Sequence, residues 1–123
     1  MAEVTIAKDR VDIEFDAWER TWTRRARVSV PLAAVTRAVR VDAPLRVPRG
    51  PRRGFVVSGH TKIGVWGRLR GPRLLVSAKR GRPGLHLTLN RAVTGDEFDG
   101  IVLSHPDAAR LTDGIRGAIG AGT

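Results

Sequence analysis

Apolar residues recur at every second position through most of this chain, and this period constrains the fold more than any other feature. In residues 11–16 (VDIEFD) three apolar side chains alternate with three acids, and in residues 85–90 (LHLTLN) three leucines alternate with polar residues. Successive side chains of a strand point to opposite faces, so the pattern predicts strands that are buried on one face and solvated on the other. We therefore expect a mainly β protein.

Five further segments have strand character: RARVSV, VTRAVRVD, FVVSGHTKIGVW, LLVSAK and IVLS. In the first two, alternation predicts three inward positions each, Ala26, Val28 and Val30, then Val35, Val39 and Val41. Gly59 is expected to interrupt the third as a bulge. The acids of residues 11–16 are expected to face the arginines of RARVSV on a neighbouring strand, which stabilises a sheet by a few tenths of a kcal/mol per pair.

The period changes to that of a helix near the C-terminal end. In HPDAARLTDGIRGAIG, apolar residues recur at intervals of three and four, namely Ala108, Leu111, Ile115, Ala118 and Ile119. Ser104 or His105 is expected to cap this helix, and residues 43–54, rich in proline and glycine, are expected to be an irregular loop. About seven strands and one C-terminal helix predict a small antiparallel β-barrel or curved double sheet, with the helix over one opening and a single domain spanning 1–123.

The charge of the chain is unevenly distributed. Residues 17–91 carry 18 basic and two acidic side chains, a net charge of +16, and the segments on either side each carry −3. Such a block attracts polyanions: nucleic acid, anionic lipid headgroups or an acidic protein. An alternative stays open, because 19 of the 22 basic residues are arginine. The amino-acid usage of a GC-rich genome would produce the same excess on any solvated surface.

The composition also limits the chemistry and the location. The chain has no cysteine, so disulfides, a thiol nucleophile and thiolate metal sites are excluded. It has no apolar run of the ~18 residues that a membrane span needs, and MAEVTIAKDR does not resemble a signal peptide. We expect a cytoplasmic protein, with peripheral association at the membrane as the alternative.

Several segments resemble a family of small, uncharacterised bacterial proteins with a pleckstrin-homology-like (PH-like) fold: WERTWTRRARVSVPLAAV, FVVSGHTKIGVWG, GPRLLVSAK and FDGIVLSHPDAA. The matching positions are Trp18-Glu19, Val30-Pro31-Leu32, Trp66 and Pro106, although His105 stands where an acid is usual. The resemblance implies a PH-like barrel across most of residues 11–120. PH-like barrels elsewhere bind phosphoinositide headgroups through a basic-x-basic pair, which Arg25 and Arg27 match, with Lys8 or Arg10 as a further base.

The candidate binding site centres on WERTWTRRAR. Tryptophan can stack on bases or sit at a lipid interface, and arginine can contact phosphate. The same tryptophans can instead close one end of the core from the turn between two strands, and we favour that structural role for at least one of them, with Trp22 the better candidate for exposure. The candidate anion- or partner-binding residues are Arg20, Trp22, Arg24, Arg25, Arg27, Arg49, Arg52 and Arg53.

No pattern of catalytic or metal-ligating residues stands out. His60, His86 and His105 are not paired at ligand spacing, and KRGRPG lacks the spacing of a phosphate-binding loop. We expect no enzyme, no cofactor, no metal and no small-molecule substrate.

Three functions are compatible with this sequence. The leading hypothesis is a binding or adaptor module that holds a protein segment or an anionic surface against a basic face formed by residues 20–27, 46–53 and 68–82. The alternative is a nucleic-acid-binding protein in which Trp18 or Trp22 stacks on bases. The third is an interaction subunit that self-associates through a strand edge or the helix.

Overall fold

The computed structural model describes residues 2–48, 52–57, 59–67, 73–90 and 98–121. Within these ranges the chain forms nine strands, two α-helices and two short 3-10 turns. The strands are β1 Glu3–Ile6, β2 Arg10–Glu14, β3 Arg27–Pro31, β4 Val35–Val41, β5 Arg52–Val57, β6 Thr61–Gly67, β7 Arg73–Lys79, β8 Gly84–Leu89 and β9 Gly100–Ser104. The helices are α1 Ala17–Thr23 and α2 Ala108–Ala121, and the 3-10 turns are Leu32–Ala34 and Pro44–Arg46.

The strands form two sheets. One is a three-stranded antiparallel sheet in the order β1-β2-β3, and the other has six strands in the order β4-β8-β9-β7-β6-β5. The mainly β class and the C-terminal helix are confirmed. The strand count of about seven is wrong, because Glu3–Ile6 form a strand that was not predicted and residues 52–67 form two strands. In the described part of the chain the two sheets do not close into a barrel, and β7 pairs with β9 in parallel rather than antiparallel.

β9 lies between two strands that are consecutive in the chain. The turn after β7 leads directly into β8, yet β9 is inserted between them and pairs with both. All five residues of β9 are buried, as expected for a strand with neighbours on both sides and packing on both faces.

The main core lies between the two sheets and under α2. Val11, Ile13, Val28 and Val30 of the small sheet pack in one cluster with apolar residues of the large sheet and of α2: Leu75, Leu85, Leu87, Leu89, Ile101, Leu103, Leu111 and Ile115. The alternation predicted for LHLTLN is confirmed because its three leucines are buried. The helix period is also confirmed, since Ala108, Leu111 and Ile115 face this core.

A second, smaller core covers the other face of the large sheet. Trp66, Val76, Ala78 and Val102 are buried there, and Leu45 and Val47 pack against them from the connection between β4 and β5. The segment expected to be an irregular loop is therefore partly ordered. Pro44–Arg46 form a 3-10 turn, and Arg52, Arg53 and Gly54 belong to β5.

The predicted pairing of acids with RARVSV is confirmed. Glu14 of β2 lies opposite Arg27 of β3, and the Arg27 Nη2 lies 3.4 Å from the Glu14 Oε1. The inward position predicted for Ala26 is wrong, because β3 begins one residue later and Ala26 is exposed.

Two strand predictions fail at irregular backbone. In β4 the register shifts between Val35 and Arg37, so Ala38 is buried while Val39 and Val41 are only half-buried. Gly59 is not a bulge: with a φ of 74°, it occupies the tight turn that joins β5 to β6 as a hairpin.

Two residues were expected to cap α2, which begins at Ala108, but neither side chain accepts a hydrogen bond from an N–H of the described helix. The His105 Nδ1 accepts a hydrogen bond from the Asp107 N–H at 3.0 Å. Ser104 instead bonds to β7, where its Oγ accepts from the Lys79 N–H at 2.8 Å.

Candidate functional site

The WERTWTRRAR segment begins with a helix, not with the expected turn between strands. Asp16 caps α1 reciprocally with Glu19: the Glu19 N–H donates to the Asp16 Oδ1 at 2.8 Å, and the Asp16 N–H donates to the Glu19 Oε1 at 3.1 Å. Arg24 ends the helix in the left-handed conformation with a φ of 59°. The signal was present in the sequence, because an acid three residues before a glutamate is typical of a helix start.

Glu19 fixes α1 to the six-stranded sheet. Its side chain is 1% exposed, and its Oε2 accepts a short hydrogen bond from the Ser77 hydroxyl of β7. A buried carboxylate needs hydrogen-bond donors to offset the loss of water. The pair therefore sets which face of α1 meets the sheet and which face remains in solvent.

Three aromatic side chains form a cluster between α1 and β5. The Trp22 ring stacks on Phe55 with the centroids 5.4 Å apart, and Trp18 meets Phe55 edge-to-face at 5.2 Å. The exposure of the tryptophans is the reverse of the prediction: Trp18 is 51% exposed, whereas Trp22 is half-buried. Trp18 is therefore the accessible aromatic residue, and it was missed as a site residue.

The predicted site arginines have different environments. The Arg20 Nε donates to the Phe15 carbonyl at 2.8 Å, and the Arg25 guanidinium lies 4.7 Å from the centroid of the Phe98 ring. Arg27 pairs with Glu14, as described above, whereas Arg24 is exposed at the end of α1. Three of these side chains therefore have structural contacts.

The remaining predicted arginines lie on or before β5. Arg52 and Arg53 are its first two residues, and Arg49 lies outside the described residues. Five of the eight predicted positions are therefore on α1, at its end or on β5: Arg20, Trp22, Arg24, Arg52 and Arg53.

β5 is an open edge of the large sheet. Among the strands that the structure describes, it pairs on one side only, with β6. Val57 at its end is 41% exposed. β4, at the opposite edge, is covered by α2, where the Arg116 Nε donates to the Ala38 carbonyl at 2.7 Å. We call the outer side of β5, together with Trp18 and Val57, the β5 edge.

A second feature lies on the other face of the same sheet. A cleft of about 590 Å³ is bordered by the connection between β4 and β5, by the β5–β6 turn and by the β7–β8 turn. We call it the basic cleft, after the five cations that line it: Arg46, Lys62, Lys79, Arg80 and Arg82.

The expected basic face is divided between these two features. Phe55 and Val56 are consecutive in β5, so they point to opposite faces of the sheet. Phe55 contacts α1, whereas Val56 lines the basic cleft. Of the basic residues in 46–53 and 68–82, the cleft is lined by Arg46, Lys79, Arg80 and Arg82, whereas Trp22 of 20–27 packs on Phe55 on the other face. Residues 49–51 and 68–72 lie outside the described part.

Burial acts to raise the pKa of Asp16 at the start of α1, but hydrogen bonds such as that from the Glu19 N–H lower it overall. Two further groups have shifted pKa values. The Ser29 hydroxyl donates to the Asp12 Oδ1 at 2.6 Å and, with Arg10 and Arg27 nearby, holds the pKa of Asp12 below its usual value. Burial, with the charge of Arg37, lowers the pKa of His86. Neither group lies at the β5 edge or in the basic cleft.

Within the described ranges, no group of three histidine or acidic residues is placed to hold a metal ion. Across the same ranges, none of the helices has the length and apolar character needed to cross a membrane.

Comparison with known proteins adds no relative. No family model matches the chain, and no curated protein or solved structure matches it either. The PH-like resemblance therefore stays a prediction that rests on the sequence motifs described above.

Proposed function

We propose that this protein is a non-enzymatic, PH-like binding module that holds an extended acidic protein segment along the β5 edge. The observation that carries the proposal is the contrast between the two edges of the large sheet: α2 covers β4, but β5 is open beside a half-exposed tryptophan. An open strand edge presents backbone donors and acceptors that an added strand can pair with.

Trp18 gives this edge a side-chain contact as well as a backbone one. The ring stands beside Phe55 with about half of its surface in solvent. Trp22 packs behind both rings and limits their movement. Large aromatic side chains held in this way are frequent anchors of protein interfaces.

Charge favours an acidic partner over a second copy of this chain. The chain carries a net charge of +10, and β5 begins with two arginines. Two copies paired edge to edge would repel each other, whereas an acidic segment would be attracted. The proposal places this interaction in the cytoplasm, where the partner segment would be accessible to the exposed edge.

A ten-residue peptide of alternating glutamate and valine, labelled with fluorescein, tests the proposal by fluorescence anisotropy. We expect binding that weakens as salt is raised, because opposite charges attract less when screened. Trp18→Ala and Val57→Glu should each weaken it by about tenfold. Val41→Glu places the same acid on the covered edge and serves as the matched control, with affinity within about twofold of the parent.

The other hypotheses give different results in the same assay. Trp18-dependent binding of a thymidine oligonucleotide, with no binding of the peptide, would favour the nucleic-acid alternative. Binding only to vesicles containing phosphatidylglycerol would favour an anionic surface. A concentration-dependent increase in mass by sedimentation, abolished by Val57→Glu, would favour self-association. Absence of peptide binding at low salt would contradict the proposal.

A further inference from the structure

We infer that the basic cleft is a second binding site, on the opposite face of the sheet from α1, for a small phosphorylated molecule that carries an apolar body. Its volume of about 590 Å³ lies within the range of small-molecule sites, which is about 300–1,000 Å³. The inference does not depend on the proposed function, because the cleft lies on the face of the sheet that Val56 lines, opposite the face on which Phe55 contacts Trp18 and Trp22.

The charge of the cleft requires an anion with more than one negative charge. Five cations line it against one acid, Asp42, and that acid already accepts a hydrogen bond from the Arg40 Nη1 at 2.6 Å. In the part of the chain that the structure describes, the side chains of Arg46 and Arg80 make no ion pair with an acid. Guanidinium and ammonium groups held close together favour phosphate, which accepts several charge-assisted hydrogen bonds.

The wall of the cleft is apolar, which points to a ligand with a body as well as a charge. Pro44, Leu45 and Val56 line it, and Leu45 and Val56 belong to the second core cluster beside Trp66. These side chains are held in place by the packing of that core. An inorganic anion would leave this apolar surface in contact with water, whereas an apolar or planar group would cover it.

The rim of the cleft is fixed by hydrogen bonds between its loops. The Arg80 N–H donates to the His60 carbonyl at 2.7 Å, which joins the β7–β8 turn to the β5–β6 turn. The Lys62 Nζ donates to the Pro48 carbonyl at 3.3 Å, which links the connection between β4 and β5 to β6. Gly81, with a φ of 78°, keeps the turn tight between Arg80 and Arg82. Cations on loops fixed in this way bind an anion with little further ordering.

A fluorescent ATP analogue with an N-methylanthraniloyl group on its ribose tests the site, because it combines a triphosphate with a planar body. We expect binding to the full chain at low salt, measured by the rise in fluorescence. The double variant Arg46→Gln, Arg80→Gln should weaken binding by about tenfold. The double variant Arg37→Gln, Arg110→Gln removes the same charge from exposed positions outside the cleft and should change it by no more than about twofold.

Competition defines the ligand class. ATP should displace the probe at a lower concentration than tripolyphosphate, and Val56→Thr should reduce the difference between these two competitors. Displacement of the probe by ATP and tripolyphosphate at the same concentration would contradict the inference that the ligand carries an apolar body. Equal weakening by the two double variants, or no binding of the probe at low salt, would overturn the site itself.

A phospholipid headgroup could supply the same phosphate, so vesicles of phosphatidylglycerol form a separate arm. Loss of probe binding in the cleft variant, with vesicle binding unchanged, supports a soluble ligand. If the parent binds vesicles but not the probe, and the cleft variant loses vesicle binding, the ligand is a lipid headgroup and the inference of a soluble ligand is overturned.

Discussion

At the scale of single residues, the buried polar groups of this protein join elements that are distant in sequence. Glu19 accepts from Ser77, 58 positions later in the chain. Asp99 accepts from the N–H of Arg73 at 2.9 Å and so holds the start of β7 beside the start of β9. A buried acceptor that loses its donors is costly, so each of these side chains specifies one arrangement of its neighbours.

Replacing Glu19 tests this role. Glu19→Ala removes the side-chain half of the reciprocal cap and the bond to Ser77, and we expect the free energy of unfolding to fall by about 2–4 kcal/mol. Ser77→Ala leaves the cap in place and should cost less than Glu19→Ala. Urea unfolding followed by circular dichroism measures both, and equal stability of Glu19→Ala and the parent would contradict the interpretation.

Asp12 should make the stability depend on pH in the acid range. Its pKa is lower when folded than when unfolded, so its carboxylate stabilises the fold above its unfolded pKa, and this contribution is lost as the pH falls through the folded pKa. Ser29→Ala removes the first cause of the shift and should raise the pKa of Asp12, measured by carbon NMR of the carboxyl group. Ser29→Thr keeps the hydroxyl and is the control. An unchanged pKa in Ser29→Ala would contradict the assignment.

Burial was predicted correctly where apolar residues recur at a regular strand or helix spacing, and incorrectly at Trp18 and Trp22. Mostly polar residues surround both Trp18 and Trp22, so composition alone does not distinguish them. The difference comes from the capping box of Asp16 and Glu19, which fixes the rotation of α1 and turns Trp18 to solvent. Because the segment was interpreted as a turn, the capping box was not recognised, and Trp18 was not predicted to be the more exposed tryptophan.

At the scale of elements, the β5–β6 hairpin depends on two backbones that approach closely. Gly54 lies opposite Gly64, and a Cβ at Gly54 would be 2.2 Å from the Ile63 carbonyl oxygen. A backbone atom cannot move aside as a flexible side chain can. A larger residue would therefore separate β5 from β6 and disturb the edge on which the proposed function depends.

Gly54→Ala should lower the free energy of unfolding by about 1–3 kcal/mol and weaken binding at the β5 edge. Gly117→Ala is the matched control, because a Cβ there meets no atom within 4 Å and Gly117 lies in α2. Alanine favours a helix over glycine, so we expect the control to be more stable than the parent by about 0.5–1 kcal/mol. Thermal unfolding of both variants measures the difference, and a Gly54→Ala variant as stable as the parent would contradict the close approach.

Most elements could be predicted from alternation, while their irregularities could not. The register shift in β4 moves Ala38 inward, and no residue in VTRAVRVD marks that shift. The glycine of FVVSGHTKIGVW was recognised as a break, but a bulge and a hairpin turn both use glycine at positive φ. The distinction depends on whether the two halves pair with each other, which is a contact between strands and not a local preference.

At the scale of the whole molecule, the parallel pair β7–β9 is the feature that the sequence did not predict. A short turn between two strands usually implies that they pair with each other, and only four residues separate β7 from β8. Here the turn crosses from β7 to β8 past the end of β9, which lies between them. The N–H and C=O groups of β9 pair with β8 on one side and with β7 on the other. Strand order is decided by packing of the complete sheet, which local patterns do not encode.

Hydrogen exchange should report this arrangement. The backbone amides of β9 are in the centre of the sheet and all of its residues are buried, so their exchange should require opening of the whole sheet. The amides of β5, at the open edge, should exchange faster. Two-dimensional NMR after transfer to deuterated water measures both, and slower exchange in β5 than in β9 would contradict this topology.

The late position of β9 in the chain has a consequence during synthesis. Until residues 100–104 leave the ribosome, the pair β4–β8 and the meander β5-β6-β7 are joined only by the β4–β5 connection and the β7–β8 turn. Each then has an unpaired strand edge where β9 will lie. A stalled or shortened nascent chain would therefore expose the unpaired edges of β8 and β7, on either side of the gap that β9 fills. Arrival of β9 fills that gap, and the two pieces then become one cooperative unit.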